Sequence, residues 1–380
     1  MESSQIEEVL RVTNRKNLAE TGGGHNQKGV DFQRAWALTR MFELEKEGPD
    51  DFLFLFEAIQ DIAELDSSVF PSSIKIYQAK KKDRGEWSWR DLTKLLKPGK
   101  KKSMAQSPSD IKDSMIGKLY SSVMAFHELK STGRFISNAG CDLPLEGGAN
   151  AATSLPCNLS RLEAKHLELL SQGLETLHEV GSLPTNPSLI HIAKVPIHPD
   201  SPATHLRGIV VSFLAERSPK HASQASALVD ALLAKIGPLG AKTDSCSTFD
   251  ELRKERGFSR NEFVSALGML EQLPDQESLI EIWLNQLSSE GGANFMEIAS
   301  IRLGVSKLFR LQVMGVEDLQ ALALAADCDK WLDVNTPGPA LKDFIGKAKA
   351  DLAGSHPSVR SAEFIAHFLL RVVKKCVDQT

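Results

Sequence analysis

The sequence is short of the features that most often announce a chemistry. Its five cysteines, Cys141, Cys157, Cys246, Cys328 and Cys376, are scattered with no CxxC pair. That argues against a disulfide framework and points to the reduced thiols of a cytosolic protein. Ten histidines contain no HExxH, and no cysteine–histidine group has zinc spacing. His191 and His198 therefore read as ordinary surface or satisfied core residues. No GxSxG elbow is present. The glycine-rich TGGGHNQKG (21–29) places Val30 where a phosphate loop needs its lysine, and no clear strand precedes it. No apolar run approaches ~20 residues, which excludes a membrane-spanning helix. The opening MESSQIEEVL is acidic and lacks the basic-then-apolar plan of a secretion signal. A cytoplasmic location is the expectation. No repeat of fixed period and no long low-complexity tract appears.

What is present is a core and an uneven charge. With 380 residues and 42% hydrophobic content, the chain can bury two domains or one large one. The formal net charge is −4, yet Pro71 to Lys130 carry 14 lysines and arginines against 6 acids, a local +8 that leaves −12 for the rest. A basic segment in an acidic protein suggests a local polyanion site. A lysine-rich loop kept soluble by its charge is the plainer reading.

Periodicity divides the chain in two. A helix is expected from Asn26 to Lys46, with Val30, Ala37, Leu38, Met41 and Phe42 on one stripe, stopped by Gly48-Pro49. FLFLFE (52–57) is continuously apolar and reads as a central strand covered on both sides. IKIYQAK (74–80) is a second strand, Pro108 to Lys130 a helix, and GRFISNAG (133–140) a third strand. This describes a compact α/β domain over 1–155. Beyond it, helical spacing dominates 162–177, 202–216, 221–236, 275–288, 315–326 and 361–376, with capping boxes at Thr248/Glu251 and Ser259/Glu262. Residues 188–197 read as an isolated strand or buried extended segment. A mainly α-helical domain is expected over 156–380.

One strand contains an oddity. In IKIYQAK, Ile74, Ile76, Gln78 and Lys80 share a face by the two-residue period. An amide and an ammonium beside two isoleucines are costly unless something nearby needs them. The preceding FLFLFEAIQD delivers Glu57 and then Asp61, and hairpin geometry is expected to set them beside Gln78 and Lys80. The Asp61 carboxylate, the Gln78 amide oxygen and a backbone carbonyl such as that of Ala79 suit a hard divalent cation, Mg2+ or Mn2+. The Lys80 ammonium suits charge stabilisation during attack on a phosphodiester. A structural ion pair of Glu57, Asp61 and Lys80 at a strand end is the competing reading, as is a solvated lysine edge that deters aggregation.

The order D-x(16)-QAK after an apolar strand resembles the PD-(D/E)XK nuclease superfamily in its QxK variant. More specifically, GVDFQRAWAL, FLFLFEAIQDI, IKIYQAKKK and GRFISNAG resemble, in order, the double-stranded-DNA endonuclease domain of CBASS effectors and of the Lamassu nuclease subunit. The likeness covers residues 22–150 well, and 189–214 resembles the region after this domain in its non-CBASS relatives. It implies a restriction-endonuclease-like fold for the first domain and a metal-dependent DNA endonuclease acting in antiphage or antiplasmid defence. It also implies a metal site of Asp61, Gln78 and Lys80, with Glu57 and Gln33 matching further family positions of less defined role. Gln60 stands where the family commonly has proline. The basic loop then fits DNA-backbone contacts, through Lys81, Lys82, Arg84, Lys100, Lys101 and Lys102. The interleaved Trp87 and Trp89 read as core in preference to base-stacking platforms.

No cyclic-oligonucleotide sensor pattern stands out in the helical remainder, which favours the Lamassu-type likeness. That likeness implies restraint by an SMC-like ATPase and a smaller accessory subunit, and a homo-oligomer, a tetramer, on release. Two alternatives remain open: a non-catalytic DNA-binding or assembly subunit on a nuclease fold, and a nuclease gated directly by a cyclic oligonucleotide.

Overall fold

The structure, a computed structural model, describes residues 4–15, 18, 27–98, 108–154, 156–178, 184–241, 244–272, 276–314 and 319–378. It begins with two helices, α1 (Ser4–Thr13) and α2 (Gln27–Glu47). Gly48, at φ 75°, closes α2 in the left-handed conformation expected after a helix end, its N–H bonded to the Leu44 carbonyl at 2.9 Å. Strands β1 (Leu53–Phe56), β2 (Ile62–Leu65) and β3 (Ser73–Ala79) come after it. Next are β4 (Trp87–Ser88), α3 (Trp89–Thr93), α4 (Met115–Met124), β5 (Lys130–Ser137), β6 (Cys141–Asp142), β7 (Cys157–Asn158), α5 (Ala164–Glu175) and β8 (Ile190–Lys194). Helices α6 (Pro202–Arg217), α7 (Ala225–Ile236) and α8 (Phe249–Arg256) precede β9 (Gly257–Ser259) and α9 (Arg260–Gln272).

Seven strands form one mixed sheet in the order β7-β8-β5-β3-β2-β1-β9. The β1/β2, β2/β3, β1/β9 and β7/β8 pairs are antiparallel, while β3/β5 and β5/β8 are parallel. The parallel β3/β5 pair needs a crossover, and α4 supplies it. Its close packing explains Gly133 in β5, where a Cβ would lie 2.7 Å from Ile190 Cδ1 and 2.8 Å from Leu119 Cγ. One apolar core gathers α1, α3, α4, α5 and α8 with Ile74, Ile76 and Phe135. Buried α2 residues Trp36 and Phe42 make ring contacts with Tyr77 and Phe263.

Three expectations need correcting. FLFLFE and IKIYQAK are not neighbours: β2 lies between them, a four-residue strand too short to stand out in the sequence, and Asp61 sits at its entrance. The 108–130 helix is divided, because the Ser114 hydroxyl caps α4 by accepting the Gly117 N–H at 2.9 Å, leaving a 3-10 turn over Pro108–Asp113. Nor does the first domain end near 155. Strands β7, β8 and β9 complete the sheet, so the first unit comprises residues 1–210 and 227–266, and the extended segment at 188–197 supplies a sheet strand. Only non-local pairing decides this, and pairing carries no local signature.

The second unit comprises residues 211–226 and 267–380. It contains α10 (Gln276–Ser289), α11 (Phe295–Met314), α12 (Leu319–Val334), α13 (Leu341–Leu352) and α14 (Ser361–Asp378), packed around Trp331, Phe344, Phe364 and Phe368. The mainly helical second region holds as expected. Helix α11 escaped the periodicity reading because Phe295, Met296 and Leu303 are exposed while Ile298, Ile301 and Val305 are buried, which blurs the single stripe. No helix among the described residues is long and apolar enough to cross a membrane. Cys141, Cys157, Cys246 and Cys328 are buried, and burial, with neighbouring Cys157, pushes the Cys141 thiol up to about 12.

Candidate active site

The turn between β1 and β2 delivers the acidic residues. Its ends are tied by the Glu57 N–H donating to the Asp61 carbonyl at 3.0 Å. Glu57 adopts φ 50°, a left-handed conformation unfavourable for a side chain with a Cβ. Two distant residues hold it there. Arg256, at the end of α8, donates from Nη1 to the Glu57 carbonyl at 3.1 Å and from Nη2 to the Asp244 carbonyl at 2.8 Å. Gly240, at φ 76°, packs against the turn so closely that a Cβ would meet Glu57 Cβ and the Phe56 carbonyl oxygen, each at 2.8 Å. Sequence reasoning missed both residues, since neither lies near Glu57 in the chain.

Asp61 is buried, 2% exposed. Its Oδ2 accepts the Ala79 N–H at 2.6 Å, and its Oδ1 lies 3.3 Å from the Lys80 ammonium. Lys80 is pinned by its own N–H donating to the Ile136 carbonyl at 3.0 Å, which extends the β3/β5 ladder by one residue. The structure therefore brings Asp61 to Lys80 as expected, and also to the Ala79 N–H, although across the β2/β3 pair and not the β1/β3 pair.

Gln78 is fully buried. Its orientation is set by Gln60, whose amide NH2 donates to the Ser122 hydroxyl at 2.9 Å and to the Leu18 carbonyl at 3.1 Å. Gln60 is left with an oxygen to offer, and the Gln78 NH2 faces it at a long 3.5 Å. The Gln78 side-chain oxygen is then the remaining end, and it is buried with no hydrogen-bond partner. Buried acceptors are seldom left so. Gln60 thus anchors the turn to α4.

The donors at this point are all oxygens: the Asp61 carboxylate, the orphaned Gln78 amide oxygen and the Ala79 backbone. They fit a hard divalent cation that keeps several waters, and not a soft or imidazole-loving metal. No group of three histidine, cysteine or acidic side chains gathers among the described residues. Gln33 is buried on α2, and no hydrogen bond among the described residues links it to Asp61, Gln78 or Lys80.

The basic segment is partly committed to the protein itself. Lys81 pairs with Asp83 at 2.8 Å, and Lys82 pairs with Asp91 at 3.0 Å while its ammonium lies 4.5 Å from the Trp87 ring centroid. Arg84 and Arg90 are exposed. Lys100, Lys101 and Lys102 lie outside the described residues. The tryptophans belong to the core: Trp89 is 1% exposed, and Trp87 donates its indole N–H to the Ser137 hydroxyl at 2.8 Å, edge-on to Phe135.

The family described as Cap4, dsDNA endonuclease domain, matches residues 21–237, more than half of the chain. The chain belongs to this family. The match agrees with the fold, since it runs past 155 through β8 and α6 to the end of α7. The chain therefore carries a double-stranded-DNA endonuclease domain of a kind used in defence, with a nuclease-like mixed sheet and then a mainly helical region. Comparison with curated proteins and with solved structures gave no match.

Proposed function

We propose that the chain is a metal-dependent endodeoxyribonuclease whose centre is Asp61, Gln78, Ala79 and Lys80. The observation that carries this reading is the buried, unpartnered Gln78 oxygen, two residues along the strand from the lysine that pairs with buried Asp61. Asp61, the Gln78 amide oxygen and the Ala79 carbonyl would hold Mg2+ or Mn2+. When bound, the ion supplies Lewis-acid polarisation and a more acidic water. The Lys80 ammonium stabilises negative charge developing on the phosphodiester. Glu57, set on the strained turn next to Asp61, supports the centre. The basic segment, with Arg84 and Lys100 to Lys102, holds the duplex through its phosphates. Plasmid cleavage with a salt titration tests the reading: EDTA abolishes cutting, Mg2+ or Mn2+ restores it, and duplex binding falls steeply with salt. Full cutting in EDTA overturns the metal assignment.

Control is proposed to lie with partners. On the Lamassu-type resemblance, an SMC-like ATPase and a smaller accessory subunit restrain the nuclease, which acts as a homo-oligomer, a tetramer, when released. Exposed Phe295, Met296, Leu303, Leu319 and Leu322 on α11 and α12 support an association surface in the helical region. Light scattering over a concentration series, paired with cleavage, is expected to show assembly and cutting rising together. A strict monomer cutting at full rate defeats this part.

A further inference from the structure

A second polar cleft lies on the sheet, on β5, β7 and β8, apart from the residues that gather around Asp61. Arg134, His191 and Asn158 are register partners on these three adjacent strands, so they form one cross-strand row on one face. With Arg161, Cys157 and Pro156 they line a cleft of about 310 Å³. That volume admits a phosphate group or a mononucleotide and sits at the low end of small-ligand sites.

The polar groups here are unusually uncommitted. Among the described residues, the side chains of Arg134, Arg161 and His191 make no hydrogen bond or ion pair, and the Arg134 Nε is buried with no acceptor. A buried guanidinium donor without an acceptor is unfavourable in the resting protein, and an anion reaching it removes that penalty. One carboxylate that feels the charge of Arg134 is already engaged: the Glu47 oxygens bind the Arg40 guanidinium at 2.7 and 3.2 Å. Asn158 spends its side-chain oxygen on the Ser160 N–H at 3.2 Å and the Ser160 hydroxyl at 2.5 Å, which leaves its NH2 as a donor. Burial, and then the charge of Arg134, hold the His191 imidazole below its usual range, so the positive charge of the cleft comes from the two arginines.

We propose that this cleft is a phosphate-binding site, distinct from the nuclease centre, in which the Arg134 and Arg161 guanidinium groups grip a phosphate and Asn158 and His191 add neutral donors. Guanidinium forks suit phosphate oxygens in pairs, which a lone surface lysine does not. The phosphate belongs either to the backbone of a bound duplex or to a free nucleotide. No arm of the test reads cleavage, so its outcome is independent of the Asp61–Lys80 assignment.

The full chain is titrated with dAMP by calorimetry and with a fluorescein-labelled duplex by anisotropy, in EDTA, using wild type, Arg134→Gln, Arg161→Gln and Arg161→Lys. Wild type is expected to bind at least one probe, and each Gln variant to weaken that probe tenfold or more, with Arg161→Lys intermediate. Loss of dAMP binding with unchanged duplex affinity assigns the site to a free nucleotide. Loss of duplex affinity without dAMP binding assigns it to the DNA backbone. Arg161 is exposed, so its variant decides the matter even if Arg134→Gln fails to fold. Unchanged affinity for both probes in Arg161→Gln overturns the proposal.

Discussion

Lys80→Ala and Asp61→Asn are each expected to lower plasmid cleavage by at least about 10²–10³-fold, the range seen when one preorganised charge-stabilising group is removed. Both groups converge on one point: the Asp61 carboxylate bridges the Ala79 N–H and the Lys80 ammonium. Losing Lys80 removes the positive charge that lies 3.3 Å from the Asp61 carboxylate. Losing the Asp61 charge removes the only anionic donor in an otherwise neutral oxygen set. Folding is expected to survive both changes. Lys80 keeps a solvent-accessible side chain, 22% exposed, so its pair with Asp61 is partly screened. Asn at 61 retains an oxygen that can accept the Ala79 N–H. Circular dichroism and a melting curve accompany the cleavage assay. Wild-type cutting by a normally folded Lys80→Ala would remove the lysine from the mechanism and restore the ion-pair reading.

Arg256→Ala is expected to be the most damaging change outside the centre. The guanidinium, 5% exposed, ties the Glu57 carbonyl to the Asp244 carbonyl. Hydrogen bonds from a charged donor are worth about 1.5–3 kcal/mol each, and Glu57 holds a left-handed backbone that costs about 1–3 kcal/mol unless its surroundings enforce it. A loss of about 3 kcal/mol corresponds to a melting temperature lower by roughly 6–12 °C for a unit of this size. Cleavage is expected to fall about tenfold or more at a temperature where the variant is still folded, because the Glu57–Asp61 turn loses its anchor. Arg256→Lys keeps the charge but cannot span both carbonyls, and belongs between the two. If Arg256→Ala melts and cuts like wild type, the turn is held by other contacts.

The sequence by itself determined most of the local elements and set Gln78 and Lys80 on a buried strand. Gln78 and Lys80 were legible because a buried strand has a strict two-residue period, and polar groups on its apolar face need a reason. Helix α2 and its glycine stop were legible because helical periodicity and a left-handed cap are both local. Trp89 and the Ser259/Glu262 capping box, where the Ser259 N–H meets the Glu262 carboxylate at 2.8 Å, came from spacing as well. Tertiary structure decided what depends on residues far apart in the chain. Strand β2 hid because four residues in a tight meander carry little pattern, yet it sets Asp61 against Ala79. Strands β8 and β9 extended the first unit past residue 155, since hydrogen bonding between distant strands leaves no trace in either strand alone. Arg256 and Gly240 act on Glu57 from about 200 residues away. His191 read as an ordinary histidine until pairing of β5 with β8 placed it beside Arg134. A side chain's type and local period are written in the sequence; which other side chain it meets is settled only when the sheet closes.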